Sequence, residues 1–408
     1  MQENKNYTGP LIIIGLLFFV FGFVTWVNGT LISFFKSAFG LSNANSYLVT
    51  FAFFISYTVM AIPSSFVLKK VGFKKGMSVG LAIMAVGTFI FIPAAKSESY
   101  PLFLVGLFTI GIGLTLLQTA SNPYATILGP RESAAQRISI LGIANKTAGI
   151  ISQKIFGGIL LAGSVAGAAL SSKEQLAKVI TPYLILTAVL VALSVLILLT
   201  KGLPEVSEEQ ESNEENSSNT TKTSVFEFPN LVLGLIALFC YVGVEVIAGD
   251  TIISYGISLG FSSEEASQFG TYTLWCMMIG YILGIVLIPK FVSQQTWLKL
   301  SSIFGIIITI FALVTSGFTS VLCIAILGLA NAIMWPAIWP LAIDGLGKFT
   351  KTGSAWLIMM IAGGAILPLV YGTMVDYLHS AQNAYAVLIP LYAFVLYFAM
   401  LGYKKKSW

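Results

Sequence analysis

TLISFFKSAFGLS (30–42) and TIISYGISLGFS (251–262) are one short text written twice, with Thr30 and Thr251 standing 221 positions apart. The same offset carries Lys69 onto Lys290. Each copy closes an apolar run of the length that an α-helix needs to cross about 30 Å of hydrocarbon. Working outward, twelve such runs fill the chain, at about 10–35, 47–68, 76–95, 101–128, 138–163, 179–200, 229–257, 266–288, 296–315, 320–343, 353–374 and 383–402. Only 10% of the 408 residues are charged against 56% hydrophobic, too little charge to clothe a soluble protein of this size.

One segment breaks the apolar pattern. Residues 203–225 are rich in Ser, Asn, Thr and Glu, with six glutamates between Glu205 and Glu215, a composition that cannot bury a core. It divides the spans six and six. The halves are therefore bounded as 1–202 and 229–408, with an acidic linker at 203–228. In the fourth span Gln118 precedes Asn122-Pro123 by four residues, and in the tenth Asn331 precedes Trp335-Pro336 by four. The predicted fold is an all-α integral membrane protein of twelve transmembrane helices in two pseudo-symmetric six-helix halves, a parallel repeat with its site near midplane between them.

The net charge of +5 is topology and not a nucleic-acid patch. Sixteen Lys and Arg residues fall on the side of the termini and the even-numbered connections, four on the other, and two lie within a span. That bias places both termini in the cytoplasm. Cys240, Cys276 and Cys323 lie inside spans and imply no disulfide framework. The first run lacks an A-x-A cleavage site and reads as a retained span. No metal or cofactor motif is present, and the single histidine, His379, has no partners for catalysis.

Four charges sit inside the spans: Lys146 and Lys154 in the fifth, Glu245 and Asp250 in the seventh. A charge at bilayer depth costs a few kcal/mol at least, which makes each a candidate functional residue. Lys146 and Lys154 are eight residues apart and face broadly similar sides, about 12 Å apart in depth. Comparable heights pair Lys154 with Glu245. Lys146 lies too deep for snorkelling and stands beside Asn145 near the level of Gln118. Gly243 and Gly249 flank the acids, as in a broken helix. Amides at Gln118, Asn122, Asn145 and Asn331 suit sugar hydroxyls, although interhelical bonding is their ordinary use. Among the tryptophans Trp26, two residues before Asn28, is the foremost stacking candidate; Trp335 and Trp339 adjoin Pro336 and Pro340, where kinking competes.

LLQTASNPYATILGP (116–130), YVGVEVIAGDTI (241–252) and NAIMWPAIWPLAIDGLG (331–347) together resemble the fucose–galactose–proton symporter family of the major facilitator superfamily, and SILGIANKTAGI (138–149) resembles its glucose/mannose-type branch. The loop SSFVLKKVGFKKG (64–76) keeps the Gly-x-Lys-Lys-Gly end of the superfamily signature without its usual acid. The resemblance implies a monosaccharide symporter of a bacterial inner membrane. In the fucose branch, two carboxylates tied to proton coupling and sugar binding stand where this chain has Gly29, after Asn28, and Gln118. Asn145 matches the sugar-contacting amide of the fifth span. The repeat sets Asp250 opposite Gly29, so the acid absent from the first half is supplied by the second.

The expectation is a secondary transporter, not an enzyme, importing a hexose such as glucose, mannose or galactose by alternating access. A cation drives it, a proton or Na+, with the proton favoured. Gln118, Asn145, Lys146, Asn122, Asn331, Trp26 and Asn28 are the expected substrate contacts, and Glu245, Asp250 and Lys154 the expected ion-coupling groups. The expected partners are the sugar, the cation and membrane lipid, and the chain acts as a monomer. The alternatives are an uncoupled sugar facilitator and a drug or metabolite exporter. No G-x-x-x-x-G-K-[ST] loop is present to bind a nucleotide.

Overall fold

A computed structural model describes residues 8–127, 134–161, 171–200, 223–288, 290–405 and 407–408. The described chain is helical throughout, and eleven of its helices are long and apolar enough to cross a membrane. The remaining crossing, the fifth in order, is α-helical over Ala134–Phe156 and continues as a π-helix over Gly157–Leu161. Asn145, Lys146, Gln153 and Lys154 make it the most polar of the twelve.

Turn chemistry sets the spans against one another. Leu48–Val71 and Phe73–Lys96 are joined by Gly72 alone. With φ 78° and ψ 163°, that residue occupies a region open in practice only to glycine. Ser171, Ser262 and Ser293 cap the sixth, eighth and ninth spans through their hydroxyls. Within the acidic linker, Val225 and Phe228 at its end are buried, and the Trp408 indole donates to the Phe226 carbonyl at 3.1 Å. The lead-in to the seventh span is thus packed, while 201–222 lie outside the described residues.

Two antiparallel seams join the halves. Along the first, glycines of the fifth span meet side chains of the eighth: a methyl at Gly142, Gly149 or Gly157 would stand 3.0–3.1 Å from Tyr281, Leu274 or Ser267 respectively. Small residues of this kind let membrane helices approach closely where no hydrophobic effect drives them together. Along the second, Gly372 and Gly364 of the eleventh span underlie Tyr47 and Phe54 of the second, and Thr58 donates to the Met359 carbonyl at 3.0 Å.

The pseudo-symmetry becomes a contact at the centre. Ser33 and Ser254, the same position of the repeated text, are hydrogen-bonded to each other at 2.8 Å. Beside them Gly29 abuts Asp250: a Cβ on Gly29 would lie 3.1 Å from the Asp250 Cα and 3.4 Å from its Oδ1. The first span breaks here, between Thr8–Thr25 and Asn28–Phe39. The seventh breaks at Thr251, between Pro229–Asp250 and Ile252–Ser258. Gly243 and Gly249 do not make that break. Both lie within the helix and are packing positions, against Leu367 and Trp26 respectively. Substituting Gly72 by Ala is expected to destabilise the protein by about 1–3 kcal/mol, seen as a lowered unfolding temperature in detergent.

Candidate functional site

The site is assembled from the first, fifth and seventh spans. Lys146 is buried, and its Nζ lies 3.2 Å from Glu245 Oε1. The second oxygen of Glu245 accepts the Tyr241 hydroxyl at 2.9 Å. Tyr241 and Glu245 are four residues apart on one helix, hence on one face. The Lys146 ammonium also stands 4.2 Å from the centroid of the Trp26 ring. A cation–π contact of this kind contributes about 2 kcal/mol or more when desolvated. The ammonium is thus neutralised by a carboxylate of the opposite half and faced by an aromatic ring of its own.

Trp26 is held from every side. A methyl at Gly149 would stand 2.6 Å from the indole, and one at Gly249 2.5 Å. The Trp26 Nε1–H donates to Asn145 Oδ1 at 3.2 Å, and Asn145 Nδ2 donates in turn to the Phe18 carbonyl at 3.4 Å. The indole therefore serves as a buried wedge between the halves and does not present the open stacking face expected of it. Asn145 spends its amide on the first span. Gly22 makes that close approach possible, since a side chain there would collide with the Asn145 carbonyl.

Gln153 and Ser152, which sequence reading passed over, complete this junction. Gln153 Nε2 donates to the Trp26 carbonyl at 3.1 Å, and Ser152 Oγ to the Phe23 carbonyl at 2.6 Å. These are backbone acceptors at the break of the first span, where the regular i→i−4 ladder is interrupted. An amide buried at membrane depth was the available signal for Gln153.

The expected pairing of Lys154 with Glu245 is not formed. Lys154 is exposed, and Lys146 takes the carboxylate. Eight residues of helix turn through about 800°, some 80° beyond two full turns, which carries Lys154 off the face that Lys146 presents. Asp250, five residues beyond Glu245, points elsewhere too. It is buried, and its Oδ1 meets no hydrogen-bond partner among the described residues. Both amide atoms of Asn28, also fully buried, meet none either. Buried polar atoms are paired in the great majority of proteins, so these mark a place for something else.

The remaining candidates are placed variously. Gln118 is half-buried on the fourth span. Asn122 lies on the same helix, its side chain outside the described residues. Asn331 ends the first segment of the tenth span, Gly317–Asn331, and accepts the Tyr392 hydroxyl at 2.8 Å while its Nδ2 meets no partner among the described residues. Trp335 and Trp339 stack with ring centroids 5.4 Å apart, both half-buried, and Trp335 lies 6.4 Å from Tyr241. The kink near them is held by Gln294, which donates to the Pro336 carbonyl at 2.7 Å. That acceptor is the one orphaned by Pro340, which has no N–H to give.

Residues 14–368 match the Major Facilitator Superfamily. The glucose/galactose transporter of Brucella abortus is 32% identical over 99% of this chain and 96% of its own length. The L-fucose-proton symporter of Escherichia coli is 29% identical over 99% and 95%. A crystal structure of a Major Facilitator Superfamily transporter in the outward conformation has a TM-score of 0.71 at 27% identity, covering 96% of this chain and 98% of that one. Fold and site together define a multi-pass membrane transporter, not an enzyme. The chain belongs to the major facilitator superfamily, in the group of its glucose/galactose and fucose–proton relatives.

Replacing Glu245 by Gln leaves the Lys146 charge buried without its partner, a loss of about 3–5 kcal/mol. The unfolding temperature should fall accordingly, and the double variant Lys146→Met, Glu245→Gln should recover most of it.

Proposed function

We propose that the protein is a secondary transporter importing a hexose (glucose, mannose or galactose) by proton symport across a bacterial cytoplasmic membrane, with both termini cytoplasmic. The halves, 1–202 and 229–408, rock against each other about the central site, with 203–228 as their connection, and a single chain suffices. The substrate class comes from the relatives, a glucose/galactose transporter and a fucose–proton symporter.

The observation that carries the coupling is the contrast between two acids of one helix. Glu245 has one oxygen on Lys146 and the other on Tyr241, so it acts as the fixed counter-ion. Asp250 keeps a buried oxygen open, at the place where the halves meet. The Gly29 backbone N–H bonds this carboxylate, while its Oδ1 meets no partner among the described residues, and a buried carboxylate with an oxygen to spare is poised to exchange a proton between states. Asp250 is accordingly the proton carrier, and the lysine–glutamate pair is the element that substrate binding perturbs. Lys154, on an exposed face, takes no part.

The sugar would meet the half-buried Gln118 on the fourth span and two amides that meet no partner among the described residues, the Asn331 N–H and the Asn28 amide. The half-buried Trp335–Trp339 stack supplies a flat apolar face. Lys146, with Asn145 beside it, borders this space.

Counterflow in proteoliposomes with a panel of hexoses, repeated under imposed proton and Na+ gradients, tests the reading. Hexose exchange accelerated by a proton gradient and not by Na+ is expected, with no response to lipophilic cations. Asp250→Asn should retain counterflow while losing proton-driven accumulation by at least about tenfold, and accumulation that survives in that variant removes Asp250 from the coupling step.

A further inference from the structure

At the end of the bundle opposite the termini, one carboxylate crosses between the halves. Asp376, near the end of the eleventh span, accepts the Asn43 backbone N–H at 3.1 Å and the Asn43 side-chain N–H at 2.7 Å on Oδ1. It accepts the Ala44 N–H at 2.8 Å on Oδ2. The Lys36 ammonium donates to the Asn43 Oδ1, which turns the amide so that its NH2 faces Asp376. Asn43 and Ala44 open the single turn Asn43–Ser46 that leads into the second span, so the three bonds to Asp376 run from one half to the other. The turn has a cap of its own, the Ser42 hydroxyl accepting the Asn45 N–H at 3.2 Å. Asp376 takes two further N–H groups of the same turn, and it does so from the other half. Beneath it Tyr47 lies 5.7 Å from Tyr371, centroid to centroid, closing the same gap with apolar surface.

We propose that Asp376 is the latch of the outer gate, holding the halves together at this end and letting go each time the transporter opens outward. The inference rests on the alternating-access reading above, which requires this end to part. Hydrogen bonds to a charged acceptor are about twice as strong as neutral ones, so three at one carboxylate bias the closed state without excess contact area. Asp376 touches no reacting group and is a positioning residue.

The test is a distance distribution by electron–electron double resonance in the full-length protein, with Cys240, Cys276 and Cys323 replaced by Ser. Spin labels are placed at Asn45 and Tyr377, both exposed, one in each half. Without sugar the wild type should sit mainly at the short separation. Asp376→Asn should shift the closed-to-open ratio toward the longer one by on the order of tenfold. Asp376→Glu, which keeps the charge, should shift it less, and it serves if the amide variant does not fold. Distributions for both variants that superimpose on wild type overturn the latch. The measurement uses no substrate, so failure to transport a hexose would count against the transport reading and leave this result standing.

Discussion

A lysine ammonium buried among apolar helices must be neutralised, and the way Lys146 achieves this organises the rest of the molecule. Its carboxylate comes from the seventh span in the other half, and its aromatic neighbour from the first. Removing either charge leaves the other stranded in a medium that penalises it by several kcal/mol. The first span must therefore carry Trp26 into the interface, and the fifth must carry glycines where the indole passes. Gly149 and Gly249, on different halves, are both cut away for the same ring. The break after Trp26 is then tolerable because Gln153 and Ser152 of the fifth span satisfy carbonyls beside it. Charge pairing, glycine placement and helix breakage are in this sense one constraint.

The same geometry accounts for the exchange of acids. In the repeated text, Asn28-Gly29 corresponds to Gly249-Asp250, so each half supplies one polar side chain and one glycine. Gly29 is not merely a missing carboxylate. It is the space into which Asp250 packs, and a side chain there would press on the Asp250 backbone. The nearest atoms there are main chain, so a side chain at 29 needs the seventh span to give by a few tenths of an ångström whatever stands at 250. This chain carries its acid on the second half.

Much of this was legible in sequence. Hydropathy and the offset of 221 gave the spans and the two halves, since apolar length and repetition are local properties. The equivalence of Ser33 with Ser254 and of Gly29 with Asp250 was implicit in the alignment of the halves, though not that each pair would be in contact. What stayed hidden depends on helix phase and on partners hundreds of residues away. Depth alone pairs Lys154 with Glu245, whereas an 80° difference in phase decides the pairing for Lys146. Gly243 and Gly249 looked like helix breakers because packing and breaking leave the same residue behind. Asp376 finds its donors at positions 43 and 44, more than 330 residues away, which no local pattern announces.

The central claim is that one carboxylate at the junction of the halves couples transport, and that its side of the junction is interchangeable. Proton-driven hexose accumulation in proteoliposomes, compared between Asp250→Gly and the double variant Gly29→Asp, Asp250→Gly, tests it most directly. Loss of accumulation in the single variant and its recovery in the double is the predicted result. Accumulation at the wild-type level in Asp250→Gly, or none in either variant while both still catalyse counterflow, would contradict it.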